Sequence, residues 1–150
     1  MNFSILCVGK IKENFYKKSI EYYVERINTI SKVAIIEVAD EQTPDNASDK
    51  EVNLIKQKEG EALLSHVTSN MYLIALDMRG KMMNSTSLKN HIKQLSESNN
   101  NDIAFVIGGS LGLSTQLIKR ANLKLSFSKM TFPHQLMRVI LLEQIYNILI

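Results

Sequence analysis

Five short apolar runs recur along this chain and alternate with segments of helical character. The runs are FSILCVG, KVAIIEV, MYLIALD, IAFVIGG and LKLSFS. Short apolar runs rich in β-branched residues are typical of buried strands. Strands that alternate with helices indicate a parallel sheet whose crossovers are helical. The pattern therefore predicts an α/β fold, with a mostly parallel sheet and helices on both of its faces.

Helical segments fill the stretches between these runs. IKENFYKKSIEYYVERINTIS has apolar residues at roughly helical spacing, and LKNHIKQL places its apolar side chains on one face. Ser48 and Glu51 form an S-x-x-E capping box, which predicts a helix from there to about Val67. Ser114 is placed to cap the short helix TQLIKRAN, and Pro133 fits the first turn of a last helix.

The composition is that of one ordinary globular domain spanning residues 1–150. Apolar residues make up 45% of the chain and charged residues 22%, and we find no repeat or internal boundary. The single cysteine, Cys7, has no partner for an internal disulfide and lies in an apolar run, so we expect it to be buried. The sequence shows neither a signal peptide nor an apolar run long enough to span a membrane, which favours a cytoplasmic protein.

Basic residues dominate the last third of the chain. No acidic residue lies between Asp102 and Glu143, whereas five basic ones do: Lys119, Arg120, Lys124, Lys129 and Arg138. One-sided positive charge suits a polyanion such as RNA. A solvated face with chance clustering explains the charge equally well, so the distribution by itself leaves both interpretations open.

Ligands of open α/β sheets bind beyond the carboxyl ends of the strands. Three loops are expected there: MRGKMMNSTS after Asp77, and those after Ile107 and Leu125. The second loop, in VIGGSLGLS, is rich in glycine but has neither the dinucleotide spacing G-x-G-x-x-G nor the acidic residue expected about 20 positions later. A nicotinamide-dependent reductase is therefore disfavoured. A tight turn and a nucleoside-type ligand site both remain open.

Other chemistries find little support in the residues. His66 and His91 lie on helical segments without neighbouring cysteines or regularly spaced acids, so we expect satisfied histidines and no metal site. No G-x-S-x-G element or Ser-His-Asp set supports nucleophilic hydrolysis.

The last helix carries charged side chains in an apolar segment. His134 falls in its first turn, where the positive end of the helix dipole favours the neutral imidazole that can accept a proton. Arg138 shares that face, and Glu143 projects to roughly the opposite side. LMRVILLEQIYNILI is apolar nearly all round, which implies burial on more than one side. A homodimer in which the last helices of the two copies pack against each other would provide this burial.

Several ordered motifs resemble one known family across essentially the whole chain. ILCVGKIKENFY, DEQTPDNASDKEVNLIKQKEGEALL, LDMRGK and FVIGGSLGL followed by LSFSKMTFPHQLMRVILLEQIY are similar to the SPOUT-class methyltransferases that act on 23S ribosomal RNA. That family methylates N3 of a pseudouridine with S-adenosylmethionine. The resemblance implies a C-terminal trefoil knot, a rare exception to unknotted chains. It also implies a homodimer, and as substrate the assembled ribosome.

The resemblance also implies site residues. The motifs place cofactor binding at Leu76, Gly108, Phe127, Ser128, Lys129, Met130, Thr131 and Phe132. Our hypothesis for catalysis is that His134, Arg138 and Glu143 order the site, with Arg138 favouring the anion of the imide.

One departure from the family lies at the end of the chain. Family members continue into a short tail with a Tyr-His-type motif that reaches the active site, whereas this sequence ends at YNILI. We therefore expect a shortened member with an intact cofactor site. A catalytically impaired protein that binds the cofactor or the ribosome is the alternative.

Overall fold

Five strands form one sheet in the computed structural model, which describes all 150 residues. They are β1 (Asn2–Val8), β2 (Lys32–Val38), β3 (Tyr72–Met82), β4 (Asp102–Ile107) and β5 (Leu123–Ser126). Their order across the sheet is β2-β1-β4-β3-β5, and every neighbouring pair is parallel. All carboxyl ends therefore lie along one edge, as the alternating pattern predicts.

Five helices cover both faces of the sheet, which confirms the predicted α/β architecture. They are α1 (Asn14–Asn28), α2 (Asp49–Leu64), α3 (Ser85–Glu97), α4 (Thr115–Arg120) and α5 (His134–Leu149). On one face, Ile27 of α1, Ile92 of α3 and Leu141 of α5 pack in a single apolar cluster. On the other face, Leu63 of α2 and Leu117 of α4 share a second cluster. None of the five combines the length and apolar character that a membrane span requires.

The predicted helix starts agree with the structure to within a few residues. The Ser48–Glu51 capping box is present, and the Ser114 hydroxyl accepts a hydrogen bond from the Leu117 amide. Pro133 occupies the capping position before α5, one residue earlier than predicted, so His134 is the first helical residue. α3 begins earlier than LKNHIKQL predicts, because the Asn84 side chain accepts a hydrogen bond from the Ser87 amide and caps it.

One loop prediction is wrong. MRGKMMNSTS was expected to leave the sheet after Asp77, but β3 continues to Met82. Its register against β5 shifts between Leu76 and Lys81, so both of these residues pair with Leu125. A Cβ on Gly80 would lie 2.6 Å from the backbone carbonyl carbon of Lys124, so glycine permits this close strand approach. The strand therefore arises from pairing with β5, which polar residues and glycine do not signal locally.

Cys7 is fully buried in the sheet, as predicted. Burial raises the pKa of its thiol to about 12. The side chain therefore remains a neutral thiol at physiological pH and acts as a small apolar residue. The trefoil knot that the resemblance implies stays a prediction.

Candidate functional site

A cavity of about 420 Å³ lies at the carboxyl ends of β4 and β5, beside residues 76–79 of β3. Residues 76–79 within β3 and residues at or just after the ends of β4 and β5 line it, and the start of α5 and one side chain of α2 complete the wall. Its volume falls within the roughly 300–1,000 Å³ of small-molecule sites. The cavity thus lies at the sheet edge where the three loops were expected to meet. At β3, however, the lining residues belong to the strand itself, which continues to Met82.

The glycine-rich segment forms the turn between β4 and α4 and also faces the cavity. Gly112 has a φ of +86°, and its amide donates to the Gly109 carbonyl oxygen at 3.1 Å. A Cβ on Gly108 would come within 2.9 Å of the Leu113 side chain and 3.0 Å of the Gly112 carbonyl carbon. The turn is therefore closed too tightly for a side chain at Gly108. The sequence left two interpretations of this segment open, a tight turn and a ligand site. The segment is a tight turn, and it also lines the cavity.

The segment after β5 folds back on itself through its own side chains. The Ser126 hydroxyl donates to the Ser128 carbonyl oxygen at 2.9 Å, and the Met130 amide donates to the Ser128 hydroxyl at 3.0 Å. The Thr131 hydroxyl lies 3.4 Å from the sulfur of Met78 on β3. These contacts hold the segment at the wall of the cavity. Its apolar residues Phe127, Met130 and Phe132 line that wall.

Most of the residues that the motifs predict for cofactor binding line this cavity. They are Leu76, Gly108, Phe127, Ser128, Met130, Thr131 and Phe132. Lys129 is the exception, since it is exposed and contributes nothing to the lining.

The cavity contains a single carboxylate. Asp77 accepts a hydrogen bond from the Arg79 amide at 3.0 Å, and the Arg79 Nε lies 3.5 Å from the same oxygen. The Arg79 side chain is 84% exposed, so this ion pair is weak. Beneath the glycine turn, Glu59 accepts a hydrogen bond from the Glu41 amide at 3.2 Å. Burial is the main cause of the raised pKa of the Glu59 carboxyl.

Of the three predicted catalytic residues, only His134 lines the cavity. Arg138 is 1% exposed, and its guanidinium donates to the Glu37 carboxylate at 2.6 Å. It also donates to the carbonyl oxygens of Val8 at 3.0 Å and Gly9 at 2.7 Å. The hypothesis that Arg138 favours the anion of the imide needs its charge at the cavity, whereas its guanidinium is paired elsewhere. Its side chain is bound to the carboxyl ends of β1 and β2.

Glu143 lies on the exposed side of α5 and has no ion-pair partner. Its charge adds to the effect of burial in raising the pKa of Tyr23 on α1. Several apolar side chains of α5 remain half-buried: Leu136, Val139, Ile140, Ile148 and Leu149. The helix is thus packed on one side and only partly covered on the other.

Sequence reasoning assigned no role to several residues of the cavity. Lys56 of α2 lines it, as do Asp77 and Met137. Asp77 follows an apolar strand run, which is a signal that sequence can offer. Lys56 gives no such signal, because its place depends on how α2 packs.

The histidines outside the cavity have ordinary surroundings. His91 lies 3.0 Å from the Tyr72 hydroxyl, and burial lowers the pKa of its imidazole. His66 is exposed. No group of three or more His, Cys, Asp or Glu side chains is placed to hold a metal ion.

Comparison with known proteins gives closely similar relatives over nearly the whole chain. A family model described as "Predicted SPOUT methyltransferase" matches residues 1–149. The ribosomal RNA large subunit methyltransferase H of Clostridium novyi (strain NT) is 58% identical over 147 residues, which cover 98% of this chain and 92% of that protein. The protein of the same name from Clostridium botulinum (strain Hall) has the same identity and coverage. That from Clostridium botulinum (strain Loch Maree) is 56% identical.

Proposed function

This chain belongs to the SPOUT methyltransferase family, and from that premise we propose that it methylates N3 of a pseudouridine in 23S ribosomal RNA. The methyl donor is S-adenosylmethionine, and the substrate is the assembled ribosome in the cytoplasm. The name of its 58% identical relatives, ribosomal RNA large subunit methyltransferase H, supports large-subunit RNA as the substrate. The observation that carries the proposal is this cavity, because seven of the eight predicted donor-binding residues line it.

The residues of the cavity suit a nucleoside-type donor. Leu76, Phe127 and Phe132 supply apolar surface for a base. A Cβ at Gly108 would crowd the neighbouring turn, so glycine keeps closed the turn that lines the cavity. Asp77 supplies the only carboxylate, which suits a donor that carries positive charge. We propose that these residues hold the donor, together with Ser128, Met130 and Thr131. Lys129 would then contact RNA from outside the cavity.

When bound, S-adenosylmethionine supplies a methyl group already activated on a sulfonium. The protein then has to align the imide nitrogen and help it lose its proton. We propose that His134 accepts that proton, because it is the only titratable side chain of α5 that lines the cavity. Arg138 acts as a positioning residue, since its bonds to Glu37, Val8 and Gly9 hold the first turns of α5 in place.

We propose a homodimer formed through α5. Leu141, Leu142 and Ile145 are buried within the chain, whereas Val139, Ile140 and Leu149 stay half-buried. A second copy would cover these side chains, and Glu143 would lie at or beside that interface. Light scattering on the purified protein checks the expected mass of two chains.

The proposed function is tested by methyl transfer to ribosomes from cells that lack this modification. With tritiated S-adenosylmethionine, we expect label in 23S RNA at one pseudouridine, located by primer extension or mass spectrometry. Calorimetry measures donor binding separately. Donor binding without transfer to ribosomes would instead support the impaired, cofactor-binding alternative. Label in another RNA or at another atom would contradict the proposed substrate.

Replacing Gly108 with alanine is expected to weaken donor binding about tenfold, equivalent to about 1.4 kcal/mol. The new methyl group would displace the turn that carries Gly112 and Leu113, because its nearest contacts are 2.9 Å and 3.0 Å. Gly109 is the matched control. A Cβ there would have its nearest contact at 3.3 Å, with the end of the Val8 side chain. Equal donor affinities for the two variants, measured by calorimetry, would contradict a role for the Gly108 turn.

A further inference from the structure

A second cavity of about 350 Å³ adjoins the proposed donor site between α2 and the start of α4. All six side chains that line it are polar: Asn53, Lys56, Gln57, Ser114, Thr115 and Gln116. A Cβ on Gly60 would lie 2.3 Å from the Ser114 hydroxyl oxygen, so glycine lets α2 and α4 approach at the inner end of this groove. The groove is therefore lined by hydroxyl, amide and ammonium-bearing side chains and by no hydrophobic residue.

Lys56 connects this polar groove to the donor cavity, since its side chain lines both. It carries the only formal charge in the groove, and no carboxylate faces it there. The two ion pairs of the chain, Arg79–Asp77 and Arg138–Glu37, do not involve it. The side chain is half-buried and makes no hydrogen bond within the protein. A half-buried cation without a partner favours an anionic group supplied by a ligand.

We propose that the polar groove binds the sugar–phosphate backbone of the RNA strand next to the target nucleotide, with Lys56 paired to a phosphate. This inference rests on the proposed function. If the target base lies at the donor cavity, the backbone of the same strand must pass close by its rim. Hydroxyl and amide side chains are common partners of phosphate oxygens and ribose hydroxyls. No hydrophobic residue lines the groove to receive a donor base, which favours the sugar–phosphate backbone of RNA as its occupant.

The test compares Lys56→Gln with wild type and with Lys58→Gln. Lys58 is exposed on the same helix and lines neither cavity, so it is a matched control for loss of one positive charge. Binding to ribosomes that lack the modification is measured at several salt concentrations. Loss of one phosphate contact is expected to weaken binding about fivefold at low salt and to reduce the slope of log K against log[salt] by about 0.7–0.9. Lys56→Arg is expected to retain most of the affinity.

Two outcomes would overturn the inference. One is that the slope of log K against log[salt] is the same for Lys56→Gln, wild type and Lys58→Gln. The other is a loss of S-adenosylmethionine binding in calorimetry with ribosome binding unchanged, which would assign Lys56 to the donor instead. Failure of the proposed function is seen separately, as absence of methyl transfer by the wild-type protein while its ribosome binding still depends on Lys56. If the wild-type protein binds no ribosomes, both the inference about the polar groove and the proposed function are overturned.

Discussion

Replacing Arg138 with methionine is expected to lower the free energy of unfolding by about 3 kcal/mol. The guanidinium is 1% exposed and donates to the carbonyl oxygens of Val8 and Gly9 as well as to Glu37. Methionine fills similar volume but leaves these acceptors without their donor. The Glu37 side chain keeps 35% exposure, so water compensates part of the loss and the expected cost stays near the lower end for a broken buried pair.

Urea denaturation at one fixed protein concentration measures this change, because association through α5 would also contribute to stability. For a chain of this length the same loss corresponds to a fall of roughly 6–12 °C in Tm. Arg26 is the matched control: it lies 3.4 Å from the ring centroid of Tyr22 on the surface of α1. Arg26→Met is expected to cost less than about 1 kcal/mol. A similar loss for the two variants would contradict the structural role of Arg138.

A double-mutant cycle separates the ion pair from the two carbonyl bonds. In Glu37→Gln the guanidinium keeps Val8 and Gly9 as acceptors, so we expect a smaller loss of about 1–2 kcal/mol. The Nε of Arg138 has no partner, which already makes the buried cation costly. In Arg138→Met, Glu37 no longer has a cation to pair with. Adding Glu37→Gln to that variant is expected to lower the free energy of unfolding little further. Fully additive losses would show that the two side chains do not interact.

The sequence predicted the elements whose signals are local. The strand runs, the Ser48–Glu51 capping box and the position of His134 in the first turn of α5 follow from spacing and capping chemistry, and the structure has all three. The carboxyl-end rule located the cavity for a similar reason, since it needs only the direction of the strands. Such features depend on a few neighbouring residues and on one shared sheet.

Long-range partners could not be predicted in this way. Arg138 and Glu37 are 101 positions apart, and nothing in either segment specifies the other. Lys56 reaches the donor cavity because α2 packs close to Ser114 at Gly60, which a helical pattern does not reveal. The extension of β3 depends on pairing with β5 beyond a register shift. In each case the decisive contact forms between segments whose relative placement is set by the whole fold.

Replacing His134 with glutamine is expected to lower the single-turnover rate of methyl transfer to ribosomes about 100-fold. Its side chain lines the cavity, whereas the exposed Glu143 and the paired Arg138 do not. Glutamine retains hydrogen-bonding atoms at a similar position but cannot accept a proton at neutral pH. Donor affinity and the urea midpoint are expected to stay close to wild type, because the side chain of His134 makes no hydrogen bond or ion pair within the chain.

The pH dependence separates proton transfer from positioning. A general base must be deprotonated to act, so the wild-type rate is expected to rise with pH along a limb that His134→Gln removes. Gln135→Ala is the matched control, since Gln135 is the next residue, accepts a hydrogen bond from the Lys12 amide at 3.4 Å and does not line the cavity. A uniformly slower variant that keeps the wild-type pH profile would mean that His134 positions the substrate while another group, or water, removes the proton. The position of His134 at the start of α5 would then matter for the geometry of the cavity and not for its basicity.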